Sequence, residues 1–227
     1  MNLAETLKYA LYRTPVVRRA MAPRFPYKIT PGQLAALINL IDETAESGSA
    51  VVEIGVARGD TSAFLLEHLR VSGADRPVLF VDTFSGFTPE SIDVEVEGRG
   101  KQRSAYDAFR YGDAGRFTQD LNRLGHERFT VLAGDAAAVD WSEHAPIGAV
   151  LLDIDLYQPT LAVLRNIWPH IEAGGGVIVD DCLEDTPWDG SLEAVRRFSE
   201  EAGVEPVRVG GKGLLLRRTA ARAGANA

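Results

Sequence analysis

The sequence predicts an α/β fold: a doubly wound, mostly parallel sheet of seven strands with a C-terminal antiparallel hairpin. Three observations carry that expectation. Five short runs, AVVEIG (50–55), PVLFVD (77–82), RFTVLAGD (128–135), GAVLLDID (148–155) and GGVIVDD (175–181), are near-continuous in apolar residues. That is how parallel strands buried on both faces read. Segments with helical spacing fall between them, at 60–70, 116–124, 159–171 and 190–202. Near the C-terminus EPVRVG and KGLLLRR flank Gly210-Gly211, the pattern of a hairpin.

The elements follow in order. In MNLAETLKYALYRTPVVRRAM the spacing of Leu3, Leu7, Ala10 and Leu11 predicts an amphipathic helix. This stretch has no continuous apolar core, and its arginines follow the apolar part, so it does not read as a signal peptide. Residues 1–24 are expected to form an arm that packs on its own domain or on a second copy, giving a homodimer. FPYKITPGQLAALINLIDETAESGS then opens with prolines and predicts a helix with Leu34, Leu37, Ile38 and Ile41 inward. A single domain spans 25–218, with a lid insertion at about 85–117, and a disordered tail is expected at 219–227. The stretch 88–117 is too long for an ordinary connection. It reads as a mobile lid, with Tyr106, Phe109 and Tyr111 as acceptor contacts.

Bulk composition excludes several classes. The 227 residues carry 24 Lys+Arg against 32 Asp+Glu, a formal charge of −8. An acidic chain is a poor ligand for a phosphate backbone, so no nucleic-acid partner is expected. No apolar run approaches the ~18–20 residues that cross a bilayer, so no membrane partner is expected either. The one cysteine, Cys182, leaves no internal disulfide and suits a reducing cytoplasm. With no histidine near it in sequence, Cys182 reads as a small buried filler, and all four histidines are expected at the surface.

Ligands of doubly wound sheets bind beyond the carboxyl ends of the strands. Here those ends read Glu53, Asp82, Asp135, Asp153 and Asp180-Asp181. An unpaired charge at a buried strand end is costly, so these acids need partners. VVEIGVARGDTS places Gly55 and Gly59 in a strand-to-helix turn, with Asp60-Thr61-Ser62 suited to capping the next helix. Ala57 and Asp60 occupy glycine positions of the dinucleotide G-x-G-x-x-G pattern, and no phosphate-loop Gly-Lys-Ser/Thr is present. Glu53 suits an ammonium group, Asp82 a ribose, and Asp135 an exocyclic amine. A ligand with an amino-acid head, a ribose and adenine would satisfy all three.

VVEIGVARGDTS, FVDTFSGF, LLDIDLYQPT and GGGVIVDDC together resemble the class I S-adenosylmethionine-dependent methyltransferases, which have a Rossmann-like fold. More narrowly they resemble the macrocin O-methyltransferase family of antibiotic tailoring enzymes, over residues 25 to 217. The resemblance implies Mg²⁺-dependent methylation of a sugar or phenolic hydroxyl on a small natural product. It implies that Glu53, Gly55 and Gly59 hold the methionine part of the cofactor, with Thr30 touching the same end. Asp82 would take the ribose, and Asp135 with Ala136 the adenine. It further implies that Asp153, Asp180 and Asp181 ligate the metal. Mg²⁺ takes all-oxygen ligation from a few carboxylates, waters and substrate oxygens. Such an ion would compensate Asp153 at its apolar strand end. Asp153 is expected to be the catalytic base, because it would touch both ion and hydroxyl, and a vicinal diol or catechol is the expected acceptor. Asp155 is expected to cap the following helix or orient a neighbour, and Tyr157 either to pack over the site or to take a structural place in the turn. Two rival readings are a non-catalytic S-adenosylmethionine-binding module and an NAD(P)-dependent oxidoreductase.

Overall fold

A computed structural model describes residues 2–20, 22–107 and 112–219 of the chain. Its frame follows from the apolar runs. Strands β1 (Ala50–Ile54), β2 (Val78–Asp82), β3 (Thr130–Ala133), β4 (Ile147–Leu152) and β5 (Ile171–Val179) pair in parallel. Strands β6 (Val207–Val209) and β7 (Gly213–Arg217) form the hairpin, and β7 runs antiparallel to β5. The sheet order is β3-β2-β1-β4-β5-β7-β6. The order reverses between β1 and β4, and that switch point opens the crevice where ligands of such sheets bind.

Alternation along each strand divides two cores. Val52, Ile54, Val150 and Leu152 face α7 (Tyr157–Ile167) and α8 (Gly190–Ala202), packing on Leu161, Leu164, Val195 and Phe198. Val51, Phe80, Leu151 and Ile178 face the other way, onto α3 (Pro31–Glu43), α4 (Asp60–Ser72) and α6 (Ala114–Arg123). Sequential side chains on opposite faces are the period of a strand. On α3 the buried set is Leu34, Leu37, Leu40 and Ile41, so Leu40 takes the inward place expected of Ile38.

The N-terminal arm forms α1 (Leu3–Arg13) and α2 (Pro15–Ala20). The expected apolar stripe is present, but it is not covered: Leu3 is 85 % exposed and α1 has no buried residue. Element ends moved by a few residues. The helix expected at 159–171 begins at Tyr157 and gives way to a 3₁₀ turn at Trp168–His170, while β5 starts early, at Ile171. The described part of the insertion forms α5 (Pro89–Asp93), a π turn (Val94–Gly98) and a 3₁₀ turn (Arg103–Tyr106). Buried Glu95 accepts from Tyr157 N at 2.7 Å and pairs with Arg99. Arg99 and Lys101 both reach Asp189, at 2.7 and 2.6 Å. The insertion is therefore strapped across the start of α7 and α8. Phe109, Tyr111 and most of the expected tail lie outside the described residues.

Candidate active site

One cavity of about 570 Å³ opens at the switch point, over the carboxyl ends of the strands. Glu53, Gly55, Asp82, Asp135, Ala136, Asp153, Asp155, Asp180 and Asp181 all line it. Four residues on its wall are non-glycines held at positive φ: Ala57 (46°), Phe84 (56°), Asp155 (61°) and Asp181 (48°). Such backbone strain collects where function over-determines the structure.

One end of the cavity is built on β1 and β2. Glu53 is 2 % exposed and accepts from Ser62 Oγ on α4 at 2.6 Å. Burial pushes its carboxyl up to about 8, against the Ser62 hydrogen bond. Ser62 therefore does not cap its helix; Gly59 is the N-cap of α4, with no side-chain bond. Asp82 ties the glycine turn to its own strand. One oxygen accepts from Val56 N at 2.8 Å and Ala57 N at 3.2 Å, and the other accepts from Phe84 N at 2.7 Å. Asp135 accepts from Ala137 N at 2.9 Å and so fixes the short turn that carries Ala136. Gly55, at φ +86°, has no room for a side chain: a Cβ there would sit 1.9 Å from the carbonyl oxygen of Asp153. Gly59 faces the ring of Phe117 rather than the cavity.

Thr30 is also set back. It caps α3 and donates to the carbonyl of Gly210 at 2.8 Å, which docks α3 on the β6–β7 turn. The approach segment supplies Lys28 to the cavity instead.

The other end is acidic. Oxygens of Asp153, Asp155 and Asp181 all lie within 4.8 Å of one another. Two full charges at that spacing repel by roughly 3–4 kcal/mol at an effective dielectric near 20. Three carboxylates cannot all stay charged there without a cation or a proton. Burial, then Asp180, raises the Asp153 carboxyl well above its usual range; burial, then Asp181, pushes Asp155 up to about 8. Asp155 is 7 % exposed, and its Oδ1 has no hydrogen-bond partner among the described residues. The expected capping role is not seen, because Leu156 is the N-cap of α7 and carries no side-chain bond. Glu95 supplies that cap from the insertion.

Asp180 sits beside this group but is already engaged. Gln33 Nε2 donates to one oxygen at 2.6 Å, and Lys212 Nζ to the other at 2.7 Å. Lys212 also reaches Asp181 Oδ1, at 2.6 Å. The expectation placed Asp153 and Asp180-Asp181 on neighbouring strand ends, and they lie there, since Asp180 N donates to Leu152 O at 2.9 Å. The close group, however, contains Asp155 in place of Asp180. All-oxygen donors around an unpartnered buried oxygen fit a hard divalent cation.

Other expectations shift. Tyr106 is buried, donates to the carbonyl of Pro187 at 2.8 Å, and packs edge-on against Phe87 and Trp188. It is part of the strap rather than the cavity wall. Tyr157 lies under the Arg99 guanidinium, 5.6 Å from ring centroid to charge. Cys182 is fully buried, with its thiol pushed by burial up to about 12, as a filler should be. His126 is buried, against expectation. Ser62 was expected as a helix cap rather than as the partner of Glu53, and Gln33, Glu95 and Lys212 were not anticipated. Of the last three, Gln33 alone left a local sign, three residues after Thr30 in the order of a capping box.

A seven-stranded sheet with this strand order and a cavity at its switch point define a class I methyltransferase fold. Similar solved structures include the O-methyltransferase NovP, with a TM-score of 0.68, 22 % identity, and coverage of 83 % of this chain and 80 % of that one. The calicheamicin methyltransferase CalS11 gives a TM-score of 0.65 at 23 % identity, covering 94 % and 90 %. The profile of the Macrocin-O-methyltransferase (TylF) family matches residues 31–210, and the chain belongs to that family. A relative from Streptomyces olivaceus, 8-demethyl-8-(2,3-dimethoxy-alpha-L-rhamnosyl)-tetracenomycin-C 4'-O-methyltransferase, is 30 % identical over 179 residues, 76 % of this chain and 67 % of its own. The protein is thus an O-methyltransferase, and the oxidoreductase and non-catalytic readings fall away. Among the described residues no helix is long and apolar enough to cross a membrane.

Proposed function

We propose that the protein methylates a hydroxyl of a glycosylated or phenolic natural product, using S-adenosylmethionine and a divalent cation such as Mg²⁺. The observation that carries this reading is the continuity of the cavity from Glu53 and Asp82 to Asp153, Asp155 and Asp181. Glu53 suits the cofactor's ammonium group, Asp82 its ribose, and Asp135 with Ala136 its adenine edge. Gly55 lets the main chain approach the methionine part, while Gly59 and Thr30 act indirectly by setting the start of α4 and the cap of α3. Asp153 and Asp181 would hold the cation, with Asp180 adjacent. When both are bound, the cofactor supplies the methyl group and the cation favours the deprotonated hydroxyl.

The base role expected of Asp153 suits Asp155 better. Asp155 keeps an unpartnered oxygen inside the acidic group, and its strained backbone aims it there. A base must lie within hydrogen-bond reach of the proton that it removes. In its charged form Asp155 would take the proton of an acceptor hydroxyl held beside it, while the cofactor, when bound, would supply the methyl group. The Streptomyces relative is named for 4'-O-methylation of a dimethoxyrhamnosyl-tetracenomycin, which supports a rhamnoside or similar glycoside as acceptor here.

The test is a panel of rhamnosides and catechols, incubated with S-adenosylmethionine and MgCl₂ and read by mass spectrometry, with EDTA in parallel. A gain of one methyl group that EDTA suppresses is expected. Cofactor binding without methylation of any acceptor would overturn the reading. The bare apolar face of the arm, with Leu3, Leu7, Leu11, Tyr12 and Val16 exposed, supports a homodimer. Light scattering should return twice the 24.6 kDa chain mass, and a monomer would refute the dimer.

A further inference from the structure

Lys212 stands out among the residues around the acidic group. It is on the Gly210–Lys212 turn between β6 and β7, and its side chain is only 18 % exposed. Its ammonium bridges two neighbouring carboxylates, Asp180 Oδ2 at 2.7 Å and Asp181 Oδ1 at 2.6 Å. The backbone holds it there. The carbonyl of Lys212 accepts from Cys182 N at 2.8 Å, and Arg208 clamps the carbonyl of Cys182 at 2.6 Å. The turn itself is pinned to α3 by Thr30, and Gln33 fixes the far oxygen of Asp180. This lysine is not a surface side chain that strayed inward. It is delivered to the pair by a braced hairpin.

Two observations bear on what it does there. Asp181 belongs both to the Lys212 bridge and to the close group with Asp153 and Asp155. The unpartnered Oδ1 of Asp155 in that group shows acid-side capacity that Lys212 does not meet. One ammonium therefore occupies part of a donor set that a divalent ion would use, and it covers the one oxygen of Asp180 that Gln33 leaves open.

We propose that Lys212 is a built-in counter-cation that holds the Asp180–Asp181 pair and must yield it when a divalent ion binds. The inference rests on the metal reading above. Lys212 thus sets the affinity of the site for metal: it weakens binding by occupying the carboxylates, and it keeps the metal-free pair from repelling itself apart. An ion entering beside Asp153 competes with an ammonium already in place, so weak or monovalent ions are excluded by the same residue.

A purely supporting lysine and a competing one predict opposite changes. If Lys212 only positions the aspartates, its removal loosens the site and weakens metal binding. If it competes, removal tightens binding. The experiment titrates Mn²⁺ alone into the full chain without cofactor, by calorimetry, for the wild type, K212M and K212R. We expect K212M to bind Mn²⁺ at least about tenfold more tightly than the wild type, because one unit of positive charge leaves the site. K212R keeps the charge and should stay near wild type. Should K212M fail to fold without metal, K212Q retains a donor for both carboxylates and carries the same expectation. Wild-type binding that is unchanged or weakened in K212M and K212Q overturns the inference and leaves the metal reading standing. No binding by any of the proteins overturns both.

Discussion

At the scale of single residues, the site turns on how a carboxylate is used rather than on its presence. Asp153, Asp155, Asp180 and Asp181 share one residue type and almost one place, yet their partners differ. Asp180 spends both oxygens on Gln33 and Lys212, whereas Asp155 keeps one free inside the acidic group. Asp155→Asn should therefore lower kcat by roughly 10²–10⁴-fold, the usual contribution of a general base. Cofactor affinity should be unchanged, since Asp155 lies at the acidic end, away from Glu53 and Asp82. Steady-state kinetics with a calorimetric control decides it; a kcat within a few-fold of wild type would remove Asp155 from the base role. The acids themselves were legible in the sequence, because polar residues ending apolar runs stand out. Which acid does what was not. Asp155 and Asp181 owe their aim to positive φ, and Asp180 owes its occupancy to residues 147 and 32 positions away. Local pattern carries no trace of either.

At the scale of elements, the five parallel strands and the hairpin were readable from their apolar runs, since burial on both faces leaves no alternation to obscure them. The ends were less so, for a physical reason that α7 shows well. Pro159 points to a helix start, yet the helix begins two residues earlier, at Tyr157. Its cap is the carboxylate of Glu95, 62 residues back in the insertion. A long-range cap is invisible to a reading that looks three or four residues ahead. The same contact explains why the insertion is more than decoration. Glu95 is fully buried, its partner Arg99 reaches Asp189 at the head of α8, and Lys101 shares that acid. The charges of the expected lid form the strap that holds its described part across α7 and α8. Lys212 entered the cavity unannounced for a related reason, since it sits on a turn whose docking depends on tertiary contacts.

At the scale of the whole molecule, the concentration of buried acids at one sheet edge governs how stability responds to pH. Glu53 and Asp155 are each raised to about 8, and Asp153 and Asp180 are raised as well. Burial is the largest cause in each case, with neighbouring acids adding to it. An unfolded chain releases these protons near pH 4, whereas the folded chain retains them to higher pH. The folded state then binds more protons through the intervening range, so stability falls as pH rises. The melting temperature of the metal-free protein should decline between about pH 5 and pH 8, and saturating MgCl₂ should flatten that decline by favouring the charged carboxylates. A melting temperature that is level across this range in EDTA would contradict the account.

The crowding at Gly55 reaches further than its own turn. Main chain meets main chain there, with nothing adjustable between β1 and the end of β4. The spacing between the two ends of the cavity, proposed above to hold the methyl donor and the acceptor, is thus fixed like a ruled length, indifferent to rotamers. That interval sets the reach between the two proposed sites, and no change of side chain elsewhere in the cavity alters it.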